Sequence, residues 1–139
     1  MTAVVLDAWA LLAWIGEEQP AVEDVEQLIG AAARGENELF ISIINLGEVF
    51  YRSVRKYGRG RADEVRRKCD SLPIRVISAD DDLVWEAAHL KSRYRLSYAD
   101  AFAAGLALRE QADLYTGDPE FKPLEQAEGL RVHWLSRVG

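Results

Sequence analysis

Cysteine is nearly absent from this chain: Cys69 is the single one in 139 residues. That excludes an internal disulfide, and with no cysteine neighbour it points to no zinc site; the residue is read as packed or tolerated. Histidine is almost as scarce, with His89 and His133 the two present. Both lie away from the motifs described below, so a histidine base is excluded and both are read as structural. Long hydrophobic runs are missing. No stretch approaches the ~18 apolar residues of a membrane span, and the N-terminus lacks the basic flank of a signal peptide, so a cytoplasmic protein is expected. Repeats, linkers and low-complexity segments are missing as well.

Basic charge is in deficit overall, 17 Lys and Arg against 23 Asp and Glu for a net charge of -6. A nucleic-acid partner is disfavoured by that balance, because phosphate binding rewards basic surface. The distribution qualifies it. Eight basic residues (Arg52, Arg55, Lys56, Arg59, Arg61, Arg66, Arg67 and Lys68) stand against Asp63 and Glu64 in one stretch, which is therefore +6 while the rest is -12. Such a run is either a solvated helix face or a phosphate-binding arm.

What is present is a hydrophobic content of 49%, enough for one sizeable core at a length that matches a single domain. Val4-Val5-Leu6 reads as a buried strand ending on Asp7, with a helix from Ala8. Val22, Val25, Leu28, Ile29 and Ala32 recur at helical spacing. Leu39–Ser42 reads as a strand, followed by helices from about Leu46 to Tyr57 and from about Arg61 to Asp70 around a glycine turn. Ile74–Ile77 reads as a third strand, Asp80 to about Tyr94 and Ser97–Arg109 as helices, and Leu114–Thr116 as a fourth strand. Asp118-Pro119 starts a helix, and Leu130–Trp134 is a last strand. Strands separated by helices predict an α/β domain with a mainly parallel sheet covered on both faces.

In such a sheet all strand-to-helix junctions lie at one edge, where open α/β sheets place their ligands. Asp7, Glu48 and Asp118 sit at three of those junctions, and Asp100 falls in the first turn of the alanine-rich helix. Each acid alone is equally readable as a cap or first-turn residue. Pro119 supports that for Asp118, and Asn45-Leu46-Gly47-Glu48 and Ser97-Tyr98-Ala99-Asp100 both have capping-box spacing. Together, however, crowded carboxylates repel unless a cation neutralises them. Oxygen-only donors favour Mg²⁺ or Mn²⁺ over zinc. A hard dication can activate water against a phosphodiester. The expected chemistry is that of a nuclease.

Four motifs carry a family resemblance: Val4-Val5-Leu6-Asp7 with Ala10-Leu11-Leu12, Ile41 through Val49, Leu96 through Ala101, and Leu114-Tyr115-Thr116-Gly117-Asp118. In this order, across nearly the whole chain, they resemble the PIN-domain family, within it the VapC-type ribonuclease toxins of bacterial toxin–antitoxin modules. The resemblance implies a three-layer α/β/α PIN-like domain over residues 1–139. It implies that Asp7, Glu48, Asp100 and Asp118 hold Mg²⁺ or Mn²⁺ and that the Thr116 hydroxyl orders the site. RNA is the implied substrate, cut endonucleolytically. The implied partners are a VapB-type antitoxin and a second copy in a homodimer, with apolar helix faces around Trp14 and Val22 as a contact surface or antitoxin groove.

One departure stands out. The family often has serine or threonine directly after the first aspartate and a small polar residue next, where this chain has Ala8 and Trp9; that removes any hydroxyl contact from the turn. Ser42 and Glu120 are secondary candidates, Ser42 as a strand-end hydroxyl and Glu120 as an accessory acid or, more simply, a solvated first-turn residue. Trp9, Trp14, Trp85 and Trp134 fit a core or an interface better than base stacking. Two rival functions stay open: a catalytically silent PIN-like module that binds RNA or protein, and a phosphoacceptor receiver domain. The second lacks its expected features, since strand one ends in a single acid and Ile77 is followed by Ser78-Ala79.

Overall fold

The computed structural model describes residues 2–137. Five strands form one sheet: β1 (Thr2–Leu6), β2 (Asn37–Ser42), β3 (Ile74–Ile77), β4 (Asp113–Thr116) and β5 (Val132–Trp134). Their order is β3-β2-β1-β4-β5, and every pairing is parallel. The helices are α1 (Ala8–Ile15), α2 (Ala21–Ala33), α3 (Ile43–Tyr57), α4 (Arg59–Asp70), α5 (Asp81–Arg93), α6 (Tyr98–Glu110) and α7 (Lys122–Ala127), with a 3₁₀ turn at Pro119–Phe121 before α7.

Alternation along the strands sorts these helices into two layers. Val5, Phe40 and Leu114 point into a core shared with α5, α6 and α7. Val4, Leu6 and Leu39 point the other way, onto α1 and α2, and Ile41 packs with Ala8, Leu11 and Val49. The architecture is therefore α/β/α with a wholly parallel sheet. Apolar residues on both faces explain why the strands read as continuous hydrophobic runs. Alanines at positions 101, 103, 104 and 107 are all buried in α6, so this helix lies close against the sheet and is covered all round.

The sheet order reverses between β1 and β4. After β1 the chain builds outward through β2 and β3, then returns to lay β4 on the other side of β1. The resulting crevice at the carboxyl ends of β1 and β4 is where open α/β sheets take ligands.

Two local expectations are corrected. Helix α3 starts at Ile43 rather than near Leu46, because Ser42, the last residue of β2, is itself the N-cap and its Oγ accepts from the Ile44 N–H at 3.1 Å. The chain passes from strand to helix without a loop. Glu48 thus sits in the second turn of α3, and Asn45 is no cap: its Nδ2 donates to the Ala99 carbonyl at 3.0 Å, tying α3 to the start of α6. At Ser97 the expected cap is found, with Oγ accepting from the Asp100 N–H at 3.1 Å. The other correction concerns Trp85, which is 70% exposed on α5 and belongs to no core.

Candidate active site

Asp7 follows β1 directly and caps α1. Its Oδ1 accepts from the Ala10 N–H at 2.9 Å, and its Oδ2 accepts from the Thr116 hydroxyl at the end of β4. Strand register produces this meeting: Leu6 pairs with Tyr115, so the next residues, Asp7 and Thr116, leave their strands side by side. Thr116 Oγ1 in turn accepts from the Asp118 N–H at 3.0 Å, which turns the chain after β4 back across the crevice. Asp7 and Thr116 are both buried.

Capping and participation in the site therefore coexist in Asp7. With Ala8 buried against Leu11, Ile41 and Val49, no hydroxyl is needed beside it, because both carboxylate oxygens already have donors. Trp9 takes the space on the other side. Its indole lies flush on the backbone of Gly117, where a Cβ would come within 2.3–2.5 Å of the ring.

The remaining acids come from three further elements. Carboxylate oxygens of Asp100, Asp118 and Glu120 lie within 4.8 Å of one another. Glu120 is held there by the Ser97 N–H, which donates to its Oε2 at 3.3 Å, while the Glu120 N–H donates to Asp118 Oδ1 at 3.0 Å. Asp7 and Glu48 stand outside this tight group but within its field. Burial pushes the Asp7 carboxyl up to about 7, against hydrogen bonds from Thr116 and Ala10 that lower it, and the charges of Asp118 and Glu48 push it further up. Burial likewise drives Asp100 well above the usual carboxylate range, followed by its hydrogen bond with Glu120 and the charges of Asp118, Asp7 and Glu120. The charges of Asp118, Glu48 and Glu120 thus each reach one or both of the buried acids Asp7 and Asp100.

Glu48 reaches the group from α3. Arg52, one turn on, donates to its Oε2 at 2.9 Å, whereas Oε1 is buried with no partner. Buried polar atoms are ordinarily paired, so this oxygen and the crowding of Asp100, Asp118 and Glu120 fit a positively charged guest. The donors are all oxygen, the set preferred by hard divalent ions and not by zinc.

The sequence matches the profile of the PIN domain over residues 4–126. The chain belongs to the PIN domain family. Solved structures similar to this PIN domain include VapBC2 from Rickettsia felis bound to a DNA fragment from its promoter. That match has a TM-score of 0.75 at 17% identity, over 97% of this chain and 100% of the other. A toxin–antitoxin complex from Klebsiella pneumoniae superposes with a TM-score of 0.70 at 18% identity, over 97% and 99% of the two chains. VapC20 from Mycobacterium tuberculosis, a toxin that cleaves the sarcin–ricin loop, superposes with a TM-score of 0.70 at 18% identity, over 86% and 93%. At such identities the likeness is one of fold. No curated protein sequence matches.

Of the residues singled out from sequence, Ser42 is spent on its own helix cap. His133 stacks on Tyr115 with ring centres 4.1 Å apart, and His89 is exposed on α5. Glu120 is exposed, as expected of a solvated first-turn residue, and the 3₁₀ turn also brings its carboxylate to Asp100 and Asp118, a geometry with no signature in the sequence beyond Asp118-Pro119. Among the described residues no helix is long and apolar enough to cross a membrane.

Proposed function

We propose that this PIN domain is a metal-dependent endoribonuclease acting as the toxin of a type II toxin–antitoxin pair. The observation that carries the reading is the convergence of Asp7, Glu48, Asp100 and Asp118 at the sheet's switch point. In this reading Asp100 and Asp118, with Glu120, hold Mg²⁺ or Mn²⁺, and Asp7 and Glu48 complete the shell directly or through water. A hard dication held by these residues would supply activation of water and neutralisation of charge on the phosphodiester. The chain's own residues do the positioning. Thr116 orients Asp7 and fixes the Asp118 turn, the Ser97 N–H holds Glu120, and Arg52 holds Glu48 through Oε2, leaving Oε1 buried and unpartnered.

The partner reading rests on the solved relatives and on a groove. A toxin–antitoxin complex is among the similar structures, and one similar toxin cleaves the sarcin–ricin loop. A cavity of about 470 Å³ between the C-terminal end of α1, α2 and α4 has Trp14, Ile15, Val22 and Val65 in its lining, with Glu17, Glu26, Arg61, Glu64 and Lys68 as charged residues around them. It suits an amphipathic helix of a VapB-type antitoxin. An arginine from that partner would match the carboxylates bidentately and compete with the cation. A homodimer in the cytoplasm belongs to the same reading.

A silent module would be favoured if Ala8 left Asp7 without a needed hydroxyl, yet each Asp7 oxygen has a donor without one at that position. Cleavage of a mixed RNA pool by antitoxin-free protein, with Mg²⁺, Mn²⁺ or EDTA, beside Asp7→Asn and Asp100→Asn, tests the choice. Metal-dependent cuts lost in both variants are expected. A folded wild type inert with every metal would favour the silent module.

A further inference from the structure

A second cavity, of about 380 Å³, lies along the C-terminal half of α3 and shares with the carboxylate crevice Arg52, the partner of Glu48. Its lining is Leu12, Glu18, Arg52, Ser53, Arg55, Lys56, Tyr57 and Arg137, so four cations surround it against one acid. In a protein of net charge -6, that local excess asks for a cause. Helix C-termini attract basic residues, and Arg55 and Lys56 lie in the last turn of α3. The macrodipole supplies only about half an elementary charge there, and it accounts for neither Arg137 nor the concave arrangement.

Two of the cations are already tied to the active site. Arg52 holds Glu48 at 2.9 Å. Arg137 lies 5.2 Å from the centre of the Trp9 ring, which also lies against Gly117 between Thr116 and Asp118. The backbone carries Arg137 to this place, since Leu135 N–H donates to the Thr116 carbonyl at 2.8 Å and Arg137 bridges to Pro20. Arg137 also pairs with Glu18 at 3.2 Å. Arg55 and Lys56 instead sit over tyrosine rings, Tyr51 and Tyr57, at 4.9 and 5.4 Å, and among the described residues no carboxylate pairs with either. Ser53 completes the lining. Its Oγ is buried and has no partner, although a serine inside a helix commonly returns its hydroxyl to the carbonyl four residues back.

We propose that the cavity formed by Arg55, Lys56, Arg137 and Arg52 beside the carboxylate crevice is a phosphate subsite, binding a backbone phosphate of single-stranded RNA next to the scissile one. The proposal rests on the ribonuclease reading and extends it to how the strand is held. A carboxylate crevice repels RNA, and these cations share α3 and the Trp9 turn with it, Arg55 and Lys56 having no carboxylate partner among the described residues. On α4, Arg59 pairs with Asp63 at 3.3 Å and Arg61 with Glu64 at 3.0 Å, both on an exposed helix surface that does not line this cavity. The +6 stretch legible in the sequence therefore splits, and its α3 end gains Arg137 from the other end of the chain.

The test is fluorescence anisotropy of a labelled single-stranded RNA oligonucleotide, in EDTA so that binding is read without turnover, across a salt series. Wild type is compared with Arg55→Ala/Lys56→Ala/Arg137→Ala, leaving Arg52 in place because it also holds Glu48. The triple variant is expected to bind roughly 10- to 100-fold more weakly and to lose about 0.7 from the log–log salt slope per phosphate contact removed. In metal its KM should rise with kcat kept, and Arg55→Lys/Arg137→Lys should retain the wild-type slope. Replacing Arg59, Arg61, Arg66 and Arg67 by alanine should do less. If the triple variant fails to fold, Arg137→Ala alone carries the same comparison. Unchanged affinity and slope, or loss of antitoxin binding with RNA binding intact, would overturn the proposal. A wild type that binds RNA through these residues but never cuts it would sink the nuclease reading and leave the phosphate subsite standing.

Discussion

Thr116 and Asp7, 109 positions apart in the chain, share a buried hydrogen bond at the point where β1 and β4 end side by side. The threonine donates to one carboxylate oxygen while its own oxygen accepts from the Asp118 N–H at 3.0 Å. One hydroxyl thus fixes two acids on neighbouring strands, and its removal should be felt in both stability and chemistry.

Thr116→Val preserves shape but leaves Asp7 Oδ2 without its donor. A buried acceptor so orphaned costs about 1–3 kcal/mol, and loss of a supporting hydrogen bond at a metal site typically lowers metal affinity or activity 10- to 100-fold. Thermal unfolding together with Mn²⁺ titration calorimetry checks this. Thr116→Ser should restore most of both, and a Thr116→Val protein with wild-type metal affinity would refute the role.

The metal-free protein should lose stability as pH rises from the ordinary aspartate value of 3.8 through about 7. Over that window the folded chain keeps on Asp7 a proton that the unfolded chain has released, so the slope of stability against pH is negative. Asp100, raised in the same direction by burial, extends the loss to higher pH. A fall in Tm on the order of 10 °C between pH 5 and pH 8 is expected. Asp100→Asn should flatten the profile, and added Mg²⁺ should restore stability chiefly at the alkaline end. A Tm that rises over this range would contradict the burial argument.

Glu120 makes a sharper case, because its carboxylate sits with Asp100 and Asp118 yet also receives the Ser97 N–H. Glu120→Gln can still accept that hydrogen bond but loses the charge. Weakened Mn²⁺ binding with Tm nearly unchanged is expected, and unaltered binding would reduce Glu120 to a cap of the α6 turn.

Gly117 has no room for a side chain because the Trp9 indole lies against it. Gly117→Ala should destabilise by about 1–3 kcal/mol, the usual cost of overpacking, and should impair cleavage by displacing Asp118. Adding Trp9→Ser should recover much of the stability. Denaturant unfolding of the single and double variants measures the coupling, and additive effects would argue against direct contact.

Apolar runs of Val, Ile and Leu bounded by helical stripes were sufficient, in this sequence, to determine a parallel sheet between helices. The acids Asp7, Glu48, Asp100 and Asp118 were visible as a set because each follows or nearly follows a strand, or starts a helix. These are local signals, carried by residues a few positions apart. Even there Asn45 misled, since its spacing to Glu48 imitates a capping box while Ser42 does the capping.

What the tertiary structure alone decided is which groups meet. Strand register put Thr116 on Asp7, the 3₁₀ turn swung Glu120 into the carboxylates, and the path of residues 135–137 set Arg137 beside Arg55 and Lys56. None of these pairings has a sequence period. Each depends on where a strand stops and how the chain turns afterward, and those are set by the packing of the whole sheet between its two helical layers.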